Sequence, residues 1–265
     1  MRDFIYHRAK DLADAEAKLA AAEDPKLIAG GMTLLPTLKQ RLAAPSDLID
    51  LADVPGMKGI TLADDGLVIG AMTCHADVAA SEVVAKAIPA LSTLAGGIGD
   101  PAVRHRGTIG GSVANADPAA DYPSAVVGLD AIVVTNQREI AGDDFFLDLF
   151  ETALEPGEII TAVRFKIPDC AAYLKFRHPA SGYAVVGVMI ARFGDKVRVA
   201  VTGAGPNAFR VAAMETALQA EFSSHVIAGI KVDPTTLLGD IHCSAEYRSH
   251  LITVLARRAV DSIAA

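Results

Sequence analysis

Two double-glycine turns, with the hydroxyl and carboxyl side chains around them, are the residues of this sequence best suited to chemistry. The first is Leu27-Ile28-Ala29-Gly30-Gly31-Met32-Thr33-Leu34-Leu35-Pro36. An apolar strand enters it and a helix leaves it. Glycines let a backbone approach a ligand closely, and N–H groups at a helix start are free to point at an anion. Thr33 adds a hydroxyl. The second runs from Arg104 to Pro123, with Gly110-Gly111 between Thr108 and Ser112 and with Asp121 near its end. Thr108 and Ser112 can donate to phosphate oxygens. Asp121 is repelled by phosphate but accepts from ribose hydroxyls or ring N–H groups. Each turn also has a plain structural reading, a tight β-to-α connection and a long surface loop respectively. Small residues combined with uncharged donors weaken that reading for the second. Neither turn has the G-x-G-x-x-G spacing of a Rossmann fingerprint, and no Gly-Lys-Ser/Thr of a Walker loop occurs.

The elements that must position these turns follow from pattern. Helix formers over 11–22 predict a helix, Lys26–Ala29 a buried strand, about 34–41 a helix that Thr33 can cap, and Leu48–Leu51 another strand. This helix, strand, helix, strand order implies a small parallel sheet. Gly59–Leu62 and Leu67–Ala71 flank an Asp64-Asp65-Gly66 turn and predict a hairpin. A helical stretch from His75 to about Gly96 breaks near Pro89, and the Gly-rich stretch from Gly96 to Pro123 shows no periodicity, which in a compact domain points to function. Strands are predicted at Ala131–Val134 and Ile159–Phe165, then, beyond a boundary near Ile167-Pro168-Asp169, at Tyr173–Phe176, Ala184–Phe193 and Val197–Gly203. Helices over 210–222 and 245–264 close the chain, giving an α+β class.

Composition narrows the function. The 265 residues carry 24 Lys+Arg against 32 Asp+Glu, a net charge of −8, and are 51% hydrophobic. Such a chain buries enough surface to fold, and no apolar run is long enough for a membrane span. Net acidity and the absence of Trp argue against nucleic acid. Cys74, Cys170 and Cys243 lie far apart with no CxxC pair, so local spacing offers neither a zinc site nor an iron–sulfur cluster. Their odd number and the polar N-terminus lead us to expect a reducing, cytoplasmic setting. His242, Cys243 and His250 fit no common metal spacing and read as a solvated helix edge.

Taken in order, AGGMTLLP (Ala29–Pro36), VRHRGTIGGSVANADPAADYP (Val103–Pro123), LEPGEIITAVRFKIP (Leu154–Pro168), AAYLKFRHPASGYA (Ala171–Ala184) and TGAGPNAFR (Thr202–Arg210) resemble the FAD-binding, medium subunit of the molybdenum hydroxylases, the group of xanthine dehydrogenase and aerobic carbon monoxide dehydrogenase. The resemblance spans nearly the whole chain. It implies a two-subdomain FAD-binding region of the PCMH type over 1–168 (about 1–55 and 56–168), with the flavin between the subdomains, followed over 169–265 by a C-terminal domain of a small antiparallel sheet plus helices. It implies that Leu27, Ile28, Ala29, Gly30, Gly31, Met32, Thr33 and Leu34 wrap the diphosphate from one side and Thr108, Ile109, Gly110, Gly111 and Ser112 from the other. It places Ile98 and Ile160 by the flavin ring and makes Asp121 and Lys175 cofactor contacts. Met32 and Ser112 depart from the commonest family residues, which a backbone cradle tolerates.

The same resemblance implies a noncovalent FAD, with no catalytic acid or base and no metal on this chain. The molybdenum cofactor belongs to a large partner subunit and the [2Fe-2S] clusters to a small one, in a dimer of heterotrimers. The chain is then an oxidoreductase subunit for electron transfer, inactive on the substrate by itself. Two alternatives stay open on the residues alone: a stand-alone FAD-dependent oxidoreductase with its own substrate site, and a nucleotide-binding module without redox chemistry.

Overall fold

The computed structural model describes residues 1–264. The chain opens with β1 (Ile5–Arg8), α1 (Leu12–Ala21), β2 (Pro25–Ile28), α2 (Leu34–Lys39) and β3 (Asp47–Asp50). Asp11 caps α1, its carboxylate accepting from the Asp14 N–H at 2.8 Å. The three strands form a parallel sheet in the order β1-β3-β2, with Leu48 and Ile49 of the central strand buried. The initial strand β1 is absent from the sequence reading, which begins with the helix. Its side chains are mostly exposed and polar, so no apolar run marks it. Its partner defines it: His7 pairs with Asp47 at 2.6 Å and the Tyr6 hydroxyl donates to Asp50 at 2.5 Å. Thr33 stands at the start of α2 without a side-chain cap. Its carbonyl instead accepts from the Thr37 hydroxyl at 2.9 Å.

A second layer follows. The hairpin β4 (Ile60–Ala63) and β5 (Gly66–Gly70) leads into α3 (His75–Ala80), α4 (Glu82–Ala87), α5 (Pro89–Gly96), α6 (Pro101–Arg104), α7 (Ile109–Asn115) and α8 (Tyr122–Gly128). The chain then runs through β6 (Ile132–Thr135), β7 (Glu139–Ala141), α9 (Gly142–Phe145), the small hairpin β8 (Phe146–Asp148) and β9 (Glu151–Thr152), and β10 (Ile160–Phe165). Five of these strands make an antiparallel sheet, β4-β5-β10-β6-β7. The stretch from Gly96 to Pro123, aperiodic in sequence, folds into α6, α7 and the start of α8. Each is too short to display a helical repeat, and each carries a local start signal. Asp100 accepts from the Val103 N–H at 2.9 Å, Thr108 accepts from the Gly111 N–H at 3.1 Å, and Pro123 lies in the first turn of α8.

The remainder is an antiparallel sheet, β11 (Cys170–Arg177), β12 (Ala184–Phe193), β13 (Lys196–Thr202) and β14 (Phe209–Arg210), backed by α10 (Ala212–Ala220) and α11 (Ala245–Ala264). Successive side chains of β12 point to opposite faces. Val186, Val188 and Ile190 join a core with Met214, Leu218, Ile252 and Leu255 of the two helices, whereas Met189 and Ala191 join the core of the preceding layer. A strand covered on both sides reads as a continuous apolar run, as this one does. The His242, Cys243 and His250 group is not a solvated helix edge throughout. Cys243 is buried, and His242 precedes α11. No cluster of three or more potential metal ligands occurs among the described residues.

Candidate functional site

A cavity of about 680 Å³ lies where the N-terminal sheet, the helical segment from Ile98 to Asp121 and the start of β10 meet. Its wall contains Leu27, Ile28, Ala29, Gly30, Gly31, Met32, Thr33, Leu34, Ile98, Thr108, Gly110, Gly111, Ser112, Asp121 and Ile160. The two glycine turns, some eighty residues apart in sequence, therefore face one space.

They do so by direct approach. A Cβ on Gly30 would stand 2.0 Å from the Arg106 carbonyl oxygen and 2.8 Å from the Gly107 Cα. A Cβ on Gly110 would stand 2.5 Å from the Ala71 Cβ. Only glycine lets these backbones meet.

The turns nevertheless differ in what they offer an anion. After Ile28 the ladder with β3 stops, with the Leu51 N–H donating to the Ile28 carbonyl at 3.1 Å. Gly31 then adopts φ +70, in the left-handed region. Helical bonding resumes only at Leu35, whose N–H donates to the Gly31 carbonyl at 2.9 Å. None of the N–H groups of Gly30, Gly31, Met32, Thr33 and Leu34 is donated to a backbone carbonyl among the described residues. Such a run of unclaimed donors is free to receive an anion.

The second turn is sewn into its surroundings instead. The Ile109 N–H donates to Thr73 (3.1 Å), Gly110 to Ala71 (2.8 Å), Gly111 to the Thr108 hydroxyl oxygen (3.1 Å) and Ser112 to the Thr108 carbonyl (3.0 Å). It supplies a wall and side-chain donors rather than free backbone. Ile109 does not line the cavity: it is fully buried with Val113, one turn further along α7, in the apolar core.

Lys175 does not line the cavity either. Its ammonium donates to the Gly97 carbonyl (2.9 Å), the Gly182 carbonyl (3.0 Å) and Asp121 (3.0 Å). Asp121 is 4% exposed and also accepts from the Tyr173 hydroxyl at 2.5 Å. Burial pushes the Asp121 carboxyl above the usual carboxylate range, against the pull of Lys175 and Tyr173. Lys175 thus fixes Asp121, the end of α5 and the β11–β12 loop to one another.

Several wall residues carry no motif that sequence reasoning picks out as a contact. The β11–β12 loop brings Ser181, Gly182 and Tyr183, the β8–β9 hairpin brings Phe150, and α3 brings His75. His75 is isolated in sequence, and burial together with Arg104 lowers its pKa to about 4, so the imidazole is neutral at pH 7.

Glu158 is the residue of the GEII stretch that anchors Ile159 and Ile160 beside the cavity. Its carboxylate accepts from Arg138 Nε (2.8 Å), the Glu155 N–H (2.7 Å) and the Thr135 hydroxyl (3.1 Å). These bonds, Arg138 foremost, hold its pKa down to about 2. The unfolded chain protonates this group first as pH falls, so the stabilisation is complete above about pH 5 and is lost on descending toward pH 2. Urea unfolding should show Glu158→Gln weaker than wild type by about 1–3 kcal/mol at pH 6, with the gap narrowing by pH 3. A gap that does not change with pH would remove this role.

The rest of the wall is mostly apolar, with Leu51, Met57, Met72, Ile98, Leu154, Ile159 and Ile160, together with the polar Lys26, Thr37, Asn115 and Asp117. A wall with a run of free backbone donors on one segment, hydroxyl and carboxylate groups on another, and a large apolar area fits a dinucleotide: a charged diphosphate, a hydroxylated linker and a flat ring.

Comparison with known proteins agrees with that chemistry. Residues 2–169 match the family described as FAD binding domain in molybdopterin dehydrogenase. The carbon monoxide dehydrogenase medium chain of Afipia carboxidovorans is 34% identical, over 97% of this chain and 96% of that one. The nicotine 6-hydroxylase medium subunit of Paenarthrobacter nicotinovorans is 36% identical, over 96% and 95%. Among solved structures, a chain of the cyanide-inactivated Cu,Mo-CO dehydrogenase superposes with a TM-score of 0.87 at 31% identity, covering 99% of this chain and 98% of that one. The relatives are oxidoreductase subunits, and no helix among the described residues is long and apolar enough to cross a membrane. With the family match over residues 2–169 and relatives alike over nearly the full length, the chain belongs to the FAD-binding subunits of the molybdenum hydroxylase family.

Proposed function

We propose that this chain is the electron-transferring flavoprotein of a molybdenum hydroxylase complex, receiving electrons from [2Fe-2S] clusters of a small partner subunit and delivering them to an external acceptor. The observation that carries the reading is the run of five unclaimed N–H groups, Gly30 to Leu34, in the wall of a cavity that also presents the hydroxyls of Thr108 and Ser112 and an apolar stretch around Ile98 and Ile160. These N–H groups, with the side chains of Thr108 and Ser112, hold the FAD diphosphate. Leu27, Ile28 and Ala29 shape the approach to it, while Gly110 and Gly111 keep the opposite wall close. Ile98 and Ile160 lie against the flavin ring. Asp121 accepts from a cofactor donor, and Lys175 acts through Asp121 by positioning it. Bound FAD supplies the ability to gather electrons singly and release them in pairs.

In this reading residues 1–168, as subdomains of about 1–55 and 56–168, grip the cofactor, and residues 169–265 brace them. The three cysteines lie apart, so the clusters and the molybdenum cofactor sit on partner subunits, in a dimer of heterotrimers. The relatives' names cover carbon monoxide and nicotine, which points to the partner subunit for substrate choice.

The test is reconstitution. The purified full chain, incubated with FAD and desalted, should retain about one flavin per chain, bleach reversibly with dithionite, and bind a cluster-bearing small subunit. A chain that retains no flavin after reconstitution sinks the cofactor reading. One that binds FAD and oxidises a substrate unaided sinks the electron-transfer assignment in favour of a self-sufficient oxidoreductase.

A further inference from the structure

Behind the crossing of the two turns lies a pair of buried polar side chains without hydrogen-bond partners. His75 is 4% exposed, and it forms part of the cavity wall. Its Nδ1 is buried and unpaired. The Tyr122 ring is tilted against the imidazole with centroids 5.4 Å apart, and the Tyr122 hydroxyl is likewise buried and unpaired. Folded proteins pair the great majority of buried polar atoms, so two such defects on adjoining rings beside a cavity call for a reason.

The position of His75 supplies one. A Cβ on Gly107 would stand 2.6 Å from His75 Nε2, so that nitrogen rests against the Gly107 backbone. The same Gly107 Cα is what a Cβ on Gly30 would meet at 2.8 Å. The imidazole edge is therefore one glycine removed from the turn that carries the free N–H groups. The ring is anchored there from its own backbone, the His75 N–H donating to the Gly107 carbonyl at 3.0 Å.

A neutral imidazole has one N–H and one lone pair. An unpaired buried nitrogen costs less as a bare acceptor than as an orphaned N–H, which leaves the proton on Nε2.

We propose that His75 is a cofactor-binding residue: it donates from Nε2 to a diphosphate oxygen of bound FAD. The proposal rests on the FAD reading above and adds to it a side-chain donor outside both glycine motifs.

The full-length apoprotein is titrated with FAD, following the change in flavin fluorescence. His75→Leu should raise Kd by about tenfold or more, as loss of a hydrogen bond to a charged group does. His75→Gln, whose amide nitrogen can reach the place of Nε2, should stay within about threefold of wild type. The ¹⁵N imidazole spectrum of the unsubstituted protein provides a readout that needs no variant to fold. In the FAD-loaded protein the His75 signals should be those of the form protonated at Nε2 and bare at Nδ1. Equal FAD affinity in wild type and His75→Leu, or a loaded protein whose His75 proton sits on Nδ1, overturns the proposal while leaving the FAD reading intact. A wild type that takes up no FAD overturns both.

Discussion

Gly30→Ala is expected to lower FAD affinity by at least about a hundredfold, although it adds a single methyl group. That methyl has nowhere to go: its carbon would sit 2.0 Å from the Arg106 carbonyl oxygen and 2.7 Å from the carbonyl carbon. Both are backbone atoms, so no side-chain rotation relieves the overlap. The Arg106-Gly107 segment is itself pinned, since Arg106 and Gly107 both donate to the Val103 carbonyl, at 3.1 and 2.7 Å. The turn must therefore retreat, and its five N–H groups move away from the opposite wall by a distance comparable to a hydrogen bond's whole tolerance. Gly229→Ala is the matched control, because a Cβ there meets nothing within 4 Å. Flavin retention after desalting, with circular dichroism to verify folding, reads the difference. A folded Gly30→Ala protein with wild-type FAD affinity would show that the first turn is not the diphosphate cradle.

Lys175→Met should cost about 3–5 kcal/mol of stability, the usual result of stripping the partner from a buried charge. At this chain length that is a fall in Tm of roughly 10 °C. Asp121 keeps its Tyr173 hydrogen bond but loses the cation 2.9 Å away, and its environment does not let water in to compensate. The Gly182 carbonyl loses a donor at the same stroke, whereas Gly97 retains one from Arg177 Nη2 at 3.0 Å. Adding Asp121→Asn to Lys175→Met removes the stranded charge and should restore a good part of the loss. Thermal unfolding of the three variants decides. A Lys175→Met protein within about 1 kcal/mol of wild type would mean that the pair contributes little and that the β11–β12 loop is held by other contacts.

What could be seen in advance divides along physical lines. The glycine turns announced themselves because close backbone approach leaves few alternatives to glycine, and β12 because burial on both faces demands an unbroken apolar run. Strand β1 left no trace, since its stability comes from pairing with β3 and from polar contacts of Tyr6 and His7. The helices between Gly96 and Pro123 were hidden by brevity: hydrophobic periodicity needs about two turns to declare itself. The division of labour between the two glycine turns was equally invisible. Both have glycines and hydroxyls, and only the pairing of Ile109, Gly110 and Gly111 with Thr73, Ala71 and Thr108 shows that one has spent its N–H groups and the other has not. His75 escaped notice because its significance lies in a neighbour 32 residues away along the polymer and not in any spacing.

The double-sided strand β12 has a mechanical corollary. Met189 is wedged toward α8, where a Cβ on Gly128 would come within 2.7 Å of its Cγ, while Val188 and Ile190 on the reverse are clamped beneath the terminal helices. Sliding either half of the molecule past the other would peel apolar surface from both sides at once, so the C-terminal sheet behaves as a fixed backing plate. The loop it suspends over the cleft, from His178 to Tyr183, inherits that stiffness at its two roots. The placement of Tyr183 therefore depends in part on strand residues that do not line the cavity.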